Sequence, residues 1–123
     1  KVLISKTDEN GLGLELKIID LIKKTERKMD LFSLPEKCVW AQDNRSLFCS
    51  RFEADNEFIM PDDYYKGRLR SGSETIVKIN IETGEQKEII KIPTDATAMF
   101  LSANEAYLFF INKIDGRLYR LTL

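Results

Sequence analysis

The sequence predicts an all-β protein assembled from repeated antiparallel units, on three observations. The first is segment 35–50, PEKCVWAQDNRSLFCS, where Cys38-Val-Trp40 and Leu47-Phe48-Cys49 flank the turn-forming Gln42-Asp43-Asn44-Arg45. The second is a copy of that hairpin at 99–111, MFLSANEAYLFFI, whose latter half also resembles the opening VLIS. The third is a recurring pair of alternating segments joined by a polar turn, at 14–32 and again at 76–92.

Taken in order, 2–5 is a short apolar strand, closed by Thr7-Asp8-Glu9-Asn10-Gly11. Leu14-Glu15-Leu16-Lys17-Ile18 alternates apolar and polar residues as a half-buried strand does, Lys23-Lys24-Thr25 turns, and 27–32 returns. Strong helix formers make a helix the competing reading for 14–31. The downstream copy IVKINIETGEQKEIIKI decides for strands, because it aligns without a gap (Ile19-Asp20-Leu21 on Ile79-Asn80-Ile81) and carries Thr83-Gly84-Glu85 as a hairpin turn. Short apolar strands precede both copies, at 2–5 and 47–50. The last unit runs from 97–101 through 107–111 and Asp115-Gly116 to 118–123.

Labelled a to d, the strands fall as b-c-d, a-b-c-d and a-b-c. Successive units are spaced by roughly 45 and roughly 60 residues, against the ~40–45 of a four-stranded propeller blade. The excess lies in one insert, 53–73, as a repeat architecture expects of its loops. The expected fold is therefore a partial β-propeller of about two and a half antiparallel blades: 1–34 a partial blade, 35–92 a full blade with the insert, 93–123 a partial last blade. Such a stack cannot close a ring, so the rest of a propeller or other subunits are expected to complete it, a small self-sufficient β-sandwich being the structural alternative. Lys1 falls in mid-strand, and upstream sequence is expected.

Lysine plus arginine number 19 against 20 acidic residues, a net charge of −1 that argues against nucleic acid as the main partner. No apolar run approaches the roughly 20 residues of a membrane span. Histidine is absent, and two cysteines make neither a four-cysteine zinc site nor a CxxC motif. No metal or cofactor is implied.

Trp40-Ala-Gln-Asp43-Asn44-Arg-Ser-Leu47-Phe48 and Leu101-Ser-Ala-Asn104-Glu105-Ala-Tyr107-Leu108-Phe109 resemble the W-S-P-D-G-x-x-L-x-F hairpin of WD40-like, TolB-type β-propellers, without its proline or glycine. Pro35-Glu-Lys-Cys38-Val-Trp40, Phe48-Cys49, Pro61-Asp62-Asp63-Tyr64-Tyr65-Lys66-Gly67, Asp95-Ala96 and Phe110-Ile111-Asn112-Lys113 are similar to the C-terminal part of uncharacterised, often membrane-anchored bacterial propeller proteins. The resemblance implies a fold and an envelope setting, and no activity.

Centring the first hairpin on Asp43-Asn44 sets Cys38 opposite Cys49, at a non-hydrogen-bonded pair where Cα atoms lie ~4.5 Å apart. A disulfide, and with it an oxidising compartment, is one reading; two reduced thiols packed as small hydrophobes is the other. In the insert, Pro61, Asp62, Asp63, Tyr64, Tyr65, Lys66, Arg68 and Arg70 suit a protein or glycan contact, tyrosine combining area with a polar tip. The alternative is an insert packed over its own blade through Phe58, Ile59 and Met60. Asp62-Asp63 as a catalytic pair is weaker, since neighbours on an extended loop point apart. Asp8-Glu9-Asn10 and Asp55-Asn56-Glu57 lack the spacing of a calcium loop and read as solvated turns. Trp40 reads as core, and Lys23, Lys24, Arg27 and Lys28 as the solvated face of an outer strand.

These readings converge on a non-enzymatic binding or scaffolding module, extracytoplasmic, whose binding face carries 53–73, 7–13 and 93–96. The alternative is an accessory domain of a hydrolase or peptidase whose catalytic part lies elsewhere.

Overall fold

The structure, a computed structural model, describes residues 1–53, 57–69 and 71–123. It is all-β, with three antiparallel sheets in which strands adjacent in sequence pair in turn. The first sheet joins β1 (Val2–Lys6), β2 (Glu15–Asp20) and β3 (Thr25–Met29). A 3₁₀ turn, Pro35–Lys37, leads into the middle sheet of β4 (Cys38–Trp40), β5 (Ser46–Phe52), β6 (Glu74–Asn80) and β7 (Gln86–Ile92). The last sheet holds β8 (Ala96–Leu101), β9 (Tyr107–Asn112) and β10 (Leu118–Thr122). The helix reading of 14–31 gives way to β2 and β3, because alternation buries Leu16 and Ile18 on one face of β2. Beyond Met29, residues 31 and 32 lie outside any strand, although Leu31 still joins the core.

Turn chemistry repeats with the sheets. Asp43 Oδ1 accepts from the amides of Arg45 (2.8 Å) and Ser46 (2.9 Å), and Asn104 Oδ1 accepts from Ala106 (3.1 Å). The next residues, Asn44 and Glu105, take φ of 55° and 56°. The outer hairpins do the same: Asp20, Asn80 and Asn112 each turn a side-chain oxygen onto amides two or three residues on. Here the left-handed residue is Gly84 or Gly116 in two cases and Lys24 in the third.

Two apolar seams join the sheets. Between the first and middle sheets pack Leu16, Ile18, Met29, Leu47, Val77 and Ile79, with Trp40 partly buried against them. Between the middle and last pack Ile76, Ile92, Ala96, Met99, Leu108 and Phe110. Each such side chain contributes roughly 1.5–3 kcal/mol by leaving water. Arg27 is exposed on the outer strand, as read, and also donates to the carbonyls of Ile81 (3.0 Å) and Glu82.

Cys38 and Cys49 face each other in the β4–β5 register and form a disulfide, with Cα atoms 4.1 Å apart. The insert differs from an extended loop: a cis Met60–Pro61 bond precedes a single helical turn, α1 (Asp62–Tyr65). Met60, Tyr64 and Leu69 bury against Leu14, Leu34 and Phe52. Phe58 is partly buried at the edge of this cluster, while Ile59 remains 45% exposed.

Candidate functional site

A group of charges is buried where the insert meets the middle and last sheets. Pro35 opens the 3₁₀ turn, whose last residue, Lys37, points inward with no exposed side-chain surface. Its Nζ lies 2.7 Å from Asp95 Oδ1, 2.5 Å from the Ala96 carbonyl oxygen and 3.4 Å from the Tyr64 hydroxyl oxygen. Glu74, the first residue of β6, brings Oε2 to 2.9 Å from the same nitrogen. That contact is an ion pair, and Glu74 Oε2 accepts no hydrogen bond. The other oxygen, Glu74 Oε1, accepts from Ser50 Oγ (2.7 Å) and the Ala96 amide (2.8 Å).

Tyr64 fastens the insert to this group. Its hydroxyl donates to Asp95 Oδ1 at 2.7 Å, and Lys113 Nζ sits 3.5 Å from its ring centre. Lys113 also donates to the Tyr64 carbonyl oxygen at 2.5 Å. Burial, then the bond to Asp95, holds the Tyr64 phenol far above its ordinary range.

Beside the group opens a cleft of about 420 Å³, lined by Lys66, Leu69, Ser71, Asp95, Lys113 and Ile114 among others. It offers a carboxylate, a hydroxyl and two ammonium groups over an apolar floor, a set suited to holding a polar ligand. Lys37 has no exposed side-chain surface and lies among Glu74, Asp95 and the Ala96 carbonyl oxygen, so this lysine serves as an internal anchor.

The residues singled out in the insert divide. Pro61, Asp62, Tyr65, Lys66 and Arg68 are exposed, whereas Asp63 and Tyr64 are buried and do not belong to a surface. The helical turn causes this, rotating consecutive side chains so that two point in and their neighbours out. Asp63 organises the loop: Oδ2 accepts from the Ile59 amide at 2.8 Å, and Oδ1 lies 3.3 Å from Arg68. Asp62 and Asp63 thus occupy different environments and form no catalytic pair. Tyr65 donates to Glu36 Oε1 at 2.6 Å, and that bond, more than burial, pushes its phenol up to about 12. Arg70, Asp55 and Asn56 lie outside the described residues.

Asp8 holds its own loop, Oδ1 accepting from the Asn10 and Leu12 amides at 2.9 Å each. Among the described residues no group of three or more Cys, Asp or Glu converges as metal ligands, and no helix is long and apolar enough to cross a membrane. Sequence reading missed Lys37, Glu74 and Lys113. No local signal could have found them, since Lys37 sits beside Glu36 as a solvated lysine would and meets Glu74 and Asp95 only across the fold.

The chain matches no protein-family model, and no curated protein aligns with it significantly.

Proposed function

We propose that this chain is a non-enzymatic binding or scaffolding module, a run of two and a half blades of a WD40-like, TolB-type β-propeller working outside the cytoplasm. One observation carries the binding part: the cleft rimmed by Lys66, Ser71, Asp95 and Lys113, braced from below by the buried Lys37 group. The cleft lies where insert 53–73 and the 93–96 connection meet. The consecutive three-, four- and three-stranded sheets support the propeller part. The disulfide suits an oxidising compartment.

A glycan or a polar peptide fits these groups, because both present hydroxyl or amide donors to Asp95 and acceptors to the lysines. The test is a titration of isotope-labelled protein with a panel of oligosaccharides and short polar peptides, followed by amide shifts. The reading requires shifts at Lys66, Ser71, Lys113 and Ile114, and binding weakened about tenfold or more by Lys66→Glu or Ile114→Asp. Both substituted residues are exposed, so the fold is retained. No shifts with any probe, or shifts confined to a different face, would sink it.

A further inference from the structure

The charges that line the cleft do not cancel, and the imbalance bears on what it holds. Among the described residues the lining carries one carboxylate, Asp95, and two ammonium groups, Lys66 and Lys113. Asp95 is already answered from within the fold: its Oδ1 lies 2.7 Å from Lys37 Nζ and accepts from the Tyr64 hydroxyl at 2.7 Å. It meets the cleft as an acceptor whose charge is matched. Lys66 and Lys113 enter no ion pair among the described residues, unlike Lys17, Lys28, Lys37, Arg51 and Arg68. The cleft is therefore short of negative charge.

The rest of the lining favours a sugar over a peptide. Every lining residue lies outside the strands, at 66–72, 95 and 113–114, so no open strand edge is there to pair with an extended main chain. Leu69 and Ile114 supply apolar surface for the C–H face of a ring, and Ser71 a hydroxyl for its rim. Gly67 and Gly72 leave the backbone bare, since a Cβ on either would meet nothing within 4 Å. Lys113 is held in place over the Tyr64 ring, and the Tyr64 carbonyl takes one of the three N–H groups an ammonium carries.

We infer that the cleft takes an acidic sugar, a uronic acid unit of an oligosaccharide. Its carboxylate meets Lys66 and Lys113 through charge-assisted hydrogen bonds, and its hydroxyls reach Asp95 and Ser71. The volume, about 420 Å³, falls within the ~300–1,000 Å³ of small-ligand sites and suits a short stretch of glycan. The inference rests on the binding part of the proposed function and narrows it to one chemical class.

The test compares matched probes that differ in charge alone. Isotope-labelled protein is titrated with trisaccharides of galacturonate, mannuronate and guluronate, with the methyl ester of each, and with an acidic tripeptide. At least one uronate should shift the amides of Lys66, Ser71, Gly72 and Lys113 and bind about tenfold or more tightly than its own ester. Lys66→Gln, at an exposed position, should remove most of that preference and leave ester binding as it was, while Lys66→Arg should keep it. Gly72 takes no positive φ, so Gly72→Val is tolerated by the backbone and should weaken acid and ester alike by filling the cleft. Acid and ester bound equally, or a preference undiminished in Lys66→Gln, would overturn the inference and leave the cleft a ligand site. An acidic tripeptide bound more tightly than every uronate would overturn it in favour of a peptide. Shifts with neutral sugars and none with any uronate would do the same for the acidic class. Only silence from every probe, neutral and acidic, would remove the binding site itself, so the two proposals fail separately.

Discussion

The two seams that join the sheets are built from different materials. Between the first and middle sheets the contact is aliphatic, with Leu16, Ile18, Leu47, Val77 and Ile79 interlocked behind the Cys38–Cys49 disulfide. Between the middle and last sheets an apolar cluster runs beside the buried Lys37, Glu74 and Asp95, and Tyr64 ties the insert to that end. Apolar contact is forgiving, since surfaces that keep volume and polarity remain compatible. A buried ion group is not, because losing any one member strands the others in a medium that solvates charge poorly. The second seam therefore fixes geometry more than it adds stability, and it is the seam beside the cleft.

Breaking the ionic seam should give the largest effect. Lys37→Met leaves Glu74 and Asp95 buried without a counter-charge and should cost about 3–5 kcal/mol in urea unfolding, enough to unfold a marginal domain. Replacing all three, Lys37→Met with Glu74→Gln and Asp95→Asn, should recover most of that loss. A cost below about 1 kcal/mol for Lys37→Met alone would show that the charges are solvated and the contrast between seams is empty.

Much of the first seam could be read from the sequence, and little of the second. Alternation in 14–18 and 76–81 specifies strands and their buried faces, while Asp43-Asn44, Asn80 with Gly84 and Asn112 with Gly116 specify where each strand reverses. The opposition of Cys38 and Cys49 follows from the same hairpin count. Lys37 and Asp95, by contrast, are 58 residues apart and meet only once two sheets have stacked. Nothing local distinguishes Lys37 from a solvated lysine. The turn at Asp62–Tyr65 escaped notice for a related reason: one turn of helix has no periodicity to detect and stands through tertiary contacts, here Tyr64 and Met60.

The next largest effect belongs to the aliphatic seam and its staple. The disulfide closes a loop of sequence separation 11. By loop-closure entropy the Cys38→Ala, Cys49→Ala pair should lose about 3 kcal/mol, or less if the hairpin persists in the unfolded chain. Cys49 is fully buried, so reductant should act only with denaturant present, seen by alkylation and intact mass. Ready alkylation of the folded protein without reductant would show two free thiols and refute the staple.

The smallest effect is a pH dependence in which the ionic seam takes part through Tyr64 and the aliphatic seam does not. Tyr64 is raised by burial and by its bond to Asp95, and Tyr65 to about 12 by its bond to Glu36. In the unfolded chain both phenols ionise near ~10, so this part of the stability is complete below that pH. It is lost as pH climbs from there toward the folded values, because only the unfolded state then sheds the protons. Tyr64→Phe should cost about 1.5–3 kcal/mol at neutral pH, the worth of a hydrogen bond to a carboxylate, and it should also flatten the alkaline decline. Tyr65→Phe, at an exposed position, should change both less. The Cys38→Ala, Cys49→Ala pair should leave the slope above ~10 as steep as in the parent chain, since no phenol lies in the first seam. If unfolding free energies across that range fall equally steeply in parent and Tyr64→Phe proteins, Tyr64 is not held neutral by Asp95, and the ionic seam loses the link by which the insert is tied to it.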